Sequence, residues 1–329
     1  MKDEPASLEP PQNAAAAAGG GRTAPVPLPA NIRSVQPGGG FCYGLELAWG
    51  RWRRWYLKTF RAGYVRRMAE KRHGDATGCP HEVLDPRDLK YCRNLCTADW
   101  AASDDPFRWR ERVPFARWGL AEMQIVGWPL LAVAVFVALT PLRWLAVVPL
   151  VLLGWVGWFF RDPRRRVPQE AGLIIAPADG KVVEITRLDH DPYVGGPAVR
   201  IGVFLSIFNV HINRMPCAGR VIELRYTPGK FLNALDPQSA IVNENMWIGM
   251  EEEAAPHRRF VMRQISGLIA RRIVCILRPG ESLERGRKFG MIKLGSRTEL
   301  ILRDEPGLRI AAVVGQKLQA GESVVAQYE

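Results

Sequence analysis

What this 329-residue chain has little of narrows it first. Its opening residues, Met1-Lys-Asp-Glu-Pro5, carry no apolar run, so nothing there reads as a secretory signal. Six cysteines (42, 79, 92, 96, 217 and 275) are too few and too scattered for a secreted disulfide framework, which points to a reducing, cytoplasmic-side setting. Acidic residues are outnumbered, 33 Asp plus Glu against 45 Lys plus Arg, for a formal charge of +12. Such a balance suits a polyanion, either nucleic acid or an anionic membrane surface. No zinc-finger spacing and no RNA-binding sheet signature is present, so no nucleic-acid partner is expected. Tryptophan is nearly absent from the second half: ten of the eleven lie at or before Trp158, mostly close to basic residues. Trp beside Arg and Lys is typical of the membrane–water interface.

Four regions follow from composition. Residues 1–40, rich in Ala, Gly and Pro, bury too little to offset ordering and are expected to be a disordered tail. Residues 41–120 form a basic, aromatic-rich extension. There Trp52, Tyr56, Phe60 and Tyr64 recur at helical spacing among arginines. That stripe fits a helix packing its aromatic face on the domain, or a basic amphipathic helix lying on anionic lipid. Cys79-Pro-His81 and Cys92-Arg-Asn-Leu-Cys96 offer three thiols and an imidazole, the donor set of a Cys₃His zinc site, but the spacing is unfamiliar. Ordinary thiols are the default there, and no metal is assigned.

Residues 121–160 hold two apolar runs, 125–140 and 144–160, interrupted by Pro141-Leu-Arg143. Each is just short of, or at, the lower limit for a spanning helix. They read either as buried core helices or as a membrane-associated hydrophobic hairpin. Basic residues at both flanks (Arg108 to Arg117, and Arg161 to Arg166) favour the hairpin, with both ends in the cytoplasm. From 161 to 329 short β-like runs alternate with Gly, Pro and Asp. The cadence predicts a mainly β (α+β) domain with a compact β-barrel-like or sandwich core.

Near the end of that domain, strand-like segments 290–294 and 298–302 flank Gly295-Ser296-Arg297. A tight turn between two strands is the plain reading. The alternative makes Ser296 a nucleophile that attacks the preceding carbonyl across a strained Gly-Ser bond. The dipeptide alone does not choose between them.

The neighbouring residues do. Gln264-Ile-Ser-Gly-Leu-Ile-Ala-Arg-Arg-Ile-Val274 followed by Gly290-Met-Ile-Lys-Leu-Gly-Ser-Arg297 resembles the carboxy-terminal signature of phosphatidylserine decarboxylase proenzymes. Phe159-Phe-Arg-Asp-Pro163, Pro177-Ala-Asp-Gly-Lys-Val182 and Phe204-Leu-Ser-Ile-Phe-Asn-Val-His-Ile-Asn-Arg214 fit the same family in the same order, so the likeness spans roughly residues 120–329. It implies a self-processing, pyruvoyl-dependent lyase converting phosphatidylserine to phosphatidylethanolamine and CO₂. Cleavage between Gly295 and Ser296 would give a β/α heterodimer, with higher oligomers possible. The pyruvoyl group would derive from Ser296, with His211 as base and Asp179 as its orienting carboxylate. The implied setting is the inner membrane, with the catalytic domain on the cytoplasmic face and an anionic serine phospholipid as substrate. Many relatives carry a second His where this chain has Arg214; that arginine is expected either to pair with the lipid phosphate or carboxylate, or to brace the loop. Two alternatives stand beside this: the same chemistry on an archaeal-type serine lipid, and an unprocessed lipid-binding relative without catalysis.

Overall fold

In the computed structural model the described residues are 22–268, 272–293 and 295–329. An α+β architecture results: helices lead, and antiparallel strands fill the second half. Phe41–Phe60 (α1) and Ala62–Glu70 (α2) are separated by a break at Arg61, where φ −132° and ψ 37° leave the helical region. The break splits the aromatic stripe. Trp52, Tyr56 and Phe60 stack on one another and stay largely exposed, whereas Tyr64 turns inward and donates its hydroxyl to Asp85. The stripe therefore does not pack as one face against the domain.

Leu120–Ala138 (α3) and Val147–Phe159 (α4) form an antiparallel apolar hairpin. Helix α3, with its preceding turn, runs 22 apolar-dominated residues, Arg117–Ala138, and is mostly unburied. At 1.5 Å per residue it reaches about 33 Å, enough for a hydrocarbon core of about 30 Å. The second arm is shorter. Both ends of the hairpin meet at one place: Ala116 N–H donates to Phe160 O (2.6 Å) and Asp162 N–H to Pro114 O (2.9 Å).

The rest is sheet. The strands are Leu173–Ile175 (β1), Gly180–Asp191 (β2), Gly196–Leu205 (β3), Ile212–Arg214 (β4), Gly219–Thr227 (β5), Asn245–Glu252 (β6), Arg259–Ser266 (β7), Arg272–Cys275 (β8), Ser282–Leu283 (β9), Lys288–Lys293 (β10), Ser296–Arg303 (β11), Leu308–Ile310 (β12), Lys317–Leu318 (β13) and Val324–Tyr328 (β14). Eight of them pair in the order β9-β5-β6-β7-β11-β3-β2-β13, and two three-stranded sheets, β8-β10-β4 and β12-β14-β1, complete the domain. The expected barrel does not close: among the described residues no ladder joins β9 to β13, and the sheet stays open. Alternating residues such as Val203, Leu205, Ile248, Met262 and Leu300 fill one core. A second cluster, Phe159, Phe160, Val210, Ile212, Val274 and Met291, seats the base of the hairpin on the β8-β10-β4 sheet.

Two expectations are corrected. Segments 290–294 and 298–302 are not the two arms of a hairpin; β10 and β11 belong to different sheets, and the chain crosses between them at Gly295. The expected tail is also partly ordered. Its first 21 residues lie outside the described ones, but residues 22–40 form a strap along the domain. Val26 N–H donates to Ile222 O (2.8 Å), Asn31 to Tyr226 O (2.7 Å), and Ile32 is fully buried in the main core. Low-complexity composition concealed one well-placed anchor. Ile32→Ala is therefore expected to cost about 2–5 kcal/mol, read as a lower denaturant midpoint at unchanged slope. A freely disordered tail would show no shift.

Candidate active site

The site is assembled where the two sheets exchange the chain. Ser296 opens β11, the strand flanked by β3 and β7, with Leu205 and Ser266 directly opposite. It is fully buried, and its hydroxyl has no hydrogen-bond partner among the described residues. Leaving such a group unmatched costs about 1–3 kcal/mol, so it is held there by its surroundings. Gly295 adopts φ +67°, a left-handed conformation that a side chain would strain.

His211 comes from the segment entering β4, in the other sheet. Gly295 N–H donates to its Nε2 (3.2 Å), and its Nδ1 lies 2.8 Å from Asn209 O. A carbonyl can only accept, so Nδ1 carries the proton, and the lone pair of Nε2 accepts from the Gly295 amide, one residue before Ser296. The ring is buried beneath Phe159, centroids 4.3 Å apart. Burial drives its pKa down to about 4, the charge of Arg161 pushes the same way, and the Asn209 carbonyl opposes both. At neutral pH the imidazole is an uncharged base.

Asp179 does not reach it. Its carboxylate takes two hydrogen bonds from Arg165 Nη2 (2.9 and 2.8 Å) and one from Ala320 N–H (2.7 Å). Burial raises its pKa, and those partners counter the rise. In this structure His211 Nδ1 meets the Asn209 carbonyl, while Asp179, the orienting carboxylate implied by resemblance, meets Arg165 and Ala320. Arg214 is a brace: its guanidinium binds Gly286 O (3.2 Å), Asp162 Oδ1 (3.3 Å) and Pro163 O (3.4 Å). Cys79, Cys92 and Cys96 lie in a separate small core of the extension, and His81 Nε2 turns to Arg54 Nη1 (3.0 Å).

Several contributors were not legible in the sequence. Asn243 donates to the carbonyls of Ser266 (2.8 Å) and Leu232 (2.9 Å), fixing the strand opposite Ser296. Gly267 lies so close that a Cβ there would sit 2.5 Å from Gly295 O. Beyond Ser296, Arg297 pairs with Glu184 and Glu299, and Arg263 holds Glu299 from the next strand (2.7 Å). Burial acts to raise the pKa of Glu184, but bonds from Thr186, Arg297 and Arg200 outweigh it and hold it near 2. Ahead of the site, Lys293 of β10 makes a buried ion pair with Glu122 at the start of α3, tying the hairpin to the strand that delivers Gly295. Beside that pair is an apolar cleft of about 270 Å³, and Phe159, one of its walls, is the ring stacked on His211.

Residues 152–326, over half of the chain, match the phosphatidylserine decarboxylase family. The chain belongs to that family. It is 50% identical over 242 residues to a phosphatidylserine decarboxylase proenzyme of Rhodopirellula baltica, covering 73% of this chain and 99% of that one. Proenzymes of the same description from Nitrosomonas eutropha (42% over 208 residues; 61% and 93% of the two chains) and Desulfotalea psychrophila (39% over 220; 66% and 97%) are also similar. The extension before the family region is additional to the matched domain.

The lowered pKa of His211 carries a sign. Between about pH 6.5 and 4 the unfolded imidazole binds a proton that the folded one refuses, so its contribution is full above 6.5 and lost as pH falls toward 4. In a Ser296→Ala background, the wild-type imidazole should lose stability relative to His211→Gln across that window, by an amount on the order of a few kcal/mol. Parallel denaturation midpoints from pH 7.5 to 4 would show an ordinary, solvated histidine.

Proposed function

We propose that this chain is a self-processing decarboxylase that converts phosphatidylserine to phosphatidylethanolamine and CO₂ at a membrane surface. The observation that carries the reading is the buried arrangement at residues 295–296: a serine hydroxyl with no partner among the described residues, next to a glycine in a left-handed turn whose amide is held by a neutral imidazole.

In this reading Ser296 Oγ attacks the Gly295 carbonyl carbon while His211 Nε2 takes the hydroxyl proton. The C–N bond breaks as the proton passes to the Ser296 nitrogen, leaving an ester in place of the amide. Loss of the Ser296 Cα proton expels the Gly295 carboxylate, and water then replaces the nitrogen, which leaves as ammonia. The products are a long chain ending at Gly295 and a short one beginning at position 296 with a pyruvoyl ketone. The buried, unpartnered hydroxyl of Ser296 fits a residue that is consumed to make such a group. Once formed, it supplies the electron sink that decarboxylation of an α-amino acid requires. The chain's own residues then keep the site dry and supply a base: Phe159 covers His211, and Asn209 fixes its tautomer.

The membrane setting is supported by the exposed apolar hairpin, whose two flanks meet at its base, and by the aromatic face of α1 among basic residues. Phe208, Leu235, Ile241 and Leu268 are all exposed, in the connections that follow β3, β5 and β7, and would rest on lipid. The cleft beside Lys293 is walled in part by Phe159, the ring that lies against His211. Both flanks then lie on the cytoplasmic face, and impermeant thiol labelling of single-cysteine variants at the two flanks should proceed from one side only. Labelling from opposite faces would rule the hairpin out.

Intact mass tests the processing. Wild type should appear as two chains divided at 295/296, the shorter one blocked to amino-terminal sequencing, and vesicles of phosphatidylserine should yield phosphatidylethanolamine. Ser296→Ala should remain one inactive chain, whereas full activity in that uncleaved variant would overturn the mechanism. His211→Ala should slow cleavage by about 10²–10⁴-fold. Gly267→Ala, by displacing the Gly295 carbonyl, should slow it by about a hundredfold. Asp179→Asn should slow it less than His211→Ala, since the carboxylate holds Arg165 and Ala320. Equal loss in the two variants would mean that Asp179 swings onto the imidazole when the bond breaks.

A further inference from the structure

The residues outside the family region carry a second constellation. Cys79, Cys92 and Cys96 converge so that their three sulfurs all lie within 4.8 Å of one another. Cys79 and Cys92 are joined as a disulfide, and Cys96 Sγ lies 3.2 Å from Cys79 Sγ. A disulfide uses two sulfurs and leaves a third, buried thiol pressed against it. Three thiolates bound to one zinc at about 2.3 Å would stand roughly 3.8 Å apart, a spacing within the reach of this cluster.

The surroundings suit a structural site. Between α2 and the hairpin the chain has little regular structure: single turns of 3₁₀ helix and one pair of two-residue strands, Arg72–His73 with Asp99–Trp100. Its apolar core is small, built on Met68, Val83, Ala98 and Trp100 around the cysteines themselves. A core of that size ordinarily needs a staple. The turn carrying Cys92 and Cys96 is also a clamp. Asn94 donates to Cys275 O (2.9 Å) and Leu277 O (2.6 Å), Arg278 donates to Cys96 O (2.9 Å), and Arg93 donates to Ile32 O (2.8 Å). One turn thus grips the amino-terminal strap and the end of β8, next to the strand that delivers Gly295.

We propose that, in its reduced form, this cluster binds one zinc ion through the thiolates of Cys79, Cys92 and Cys96, with water in the fourth position. Reducing the disulfide takes two electrons and two protons from a dithiol, or two electrons from a phosphine that becomes its oxide while water supplies the oxygen and the two protons; binding then releases three thiol protons to solvent. Half-buried Cys79 leaves the site open on its side, which gives the water its place. His81 is not the fourth ligand, because neither of its ring nitrogens lies within 4.8 Å of all three sulfurs, and its Nε2 accepts from Arg54. In a reducing compartment, such as the cytoplasmic face proposed above, the thiols stay available. The metal's role is to hold the clamp, not to take part in decarboxylation.

The test uses full-length protein, reduced with a phosphine and dialysed against zinc chloride and then metal-free buffer. Elemental analysis should find about one zinc per chain, falling at least tenfold in Cys96→Ser and unchanged in His81→Ala. Because a serine variant could misfold, reduced wild type is also titrated with cobalt(II). A thiolate-to-cobalt charge-transfer band of three-sulfur intensity, displaced by zinc, is the expected signature. Chelator should then accelerate proteolysis within residues 71–115 by about tenfold while leaving the 295/296 cleavage pattern as it was. A reduced protein that takes up neither ion, or one that keeps only the Cys79–Cys92 disulfide under the same reductant, would overturn the proposal. Loss of zinc in His81→Ala as complete as in Cys96→Ser would overturn the water-bound assignment.

Discussion

A hydrogen bond from the Gly295 amide to Nε2 of a dry imidazole is the contact on which the site turns. It joins the two sheets at the point where the chain passes from one to the other, and it needs His211 uncharged, since a protonated ring would have no lone pair to offer. Burial against Phe159 meets that need. Ser296 is fully buried as well, and its hydroxyl has no hydrogen-bond partner among the described residues.

That arrangement is permitted locally by a glycine and supported from a distance. Gly295 is held in a left-handed conformation, and β11 beyond it is pinned by buried pairs among Arg297, Glu299, Glu184 and Arg263. Removing one partner of such a pair would cost more than the pair itself contributes, because an uncompensated charge would remain. On the other side, Lys293 and Glu122 connect the strand before Gly295 to the first turn of α3. The apolar hairpin is therefore tied to the strand that leads to Gly295, by this buried ion pair and by the apolar cluster at the hairpin's base.

The extension adds a different kind of support. Its Cys92–Cys96 turn reaches the family domain through the carbonyls of Cys275 and Leu277, and the amino-terminal strap through that of Ile32, beside the apolar contact made by Ala116. Contacts of that kind depend on a rigid turn to present the donors, and here the turn is the one between Cys92 and Cys96.

Much of this was already present in the residues. Ordered motifs identified the family and made Ser296, His211 and Asp179 the site candidates; apolar runs located the hairpin; and alternation marked most strands from 173 to 328, because a half-buried strand must alternate. The strand Asn245–Glu252 was missed, since Asn245, Gly249 and two glutamates break the pattern, and it is its two neighbouring strands that hold it in the sheet. Composition likewise hid Ile32, a single anchor within a low-complexity strap. Tertiary structure alone decided that Gly295 bridges two sheets, that His211 meets Asn209 while Asp179 meets Arg165, that Arg214 meets Gly286, Asp162 and Pro163, and that three cysteines up to seventeen residues apart share one point. The physical reason is common to all four. Sequence specifies which groups can donate, accept or pack, but which partner each one meets depends on long-range register, and that is settled only when the sheets and the hairpin close on one another.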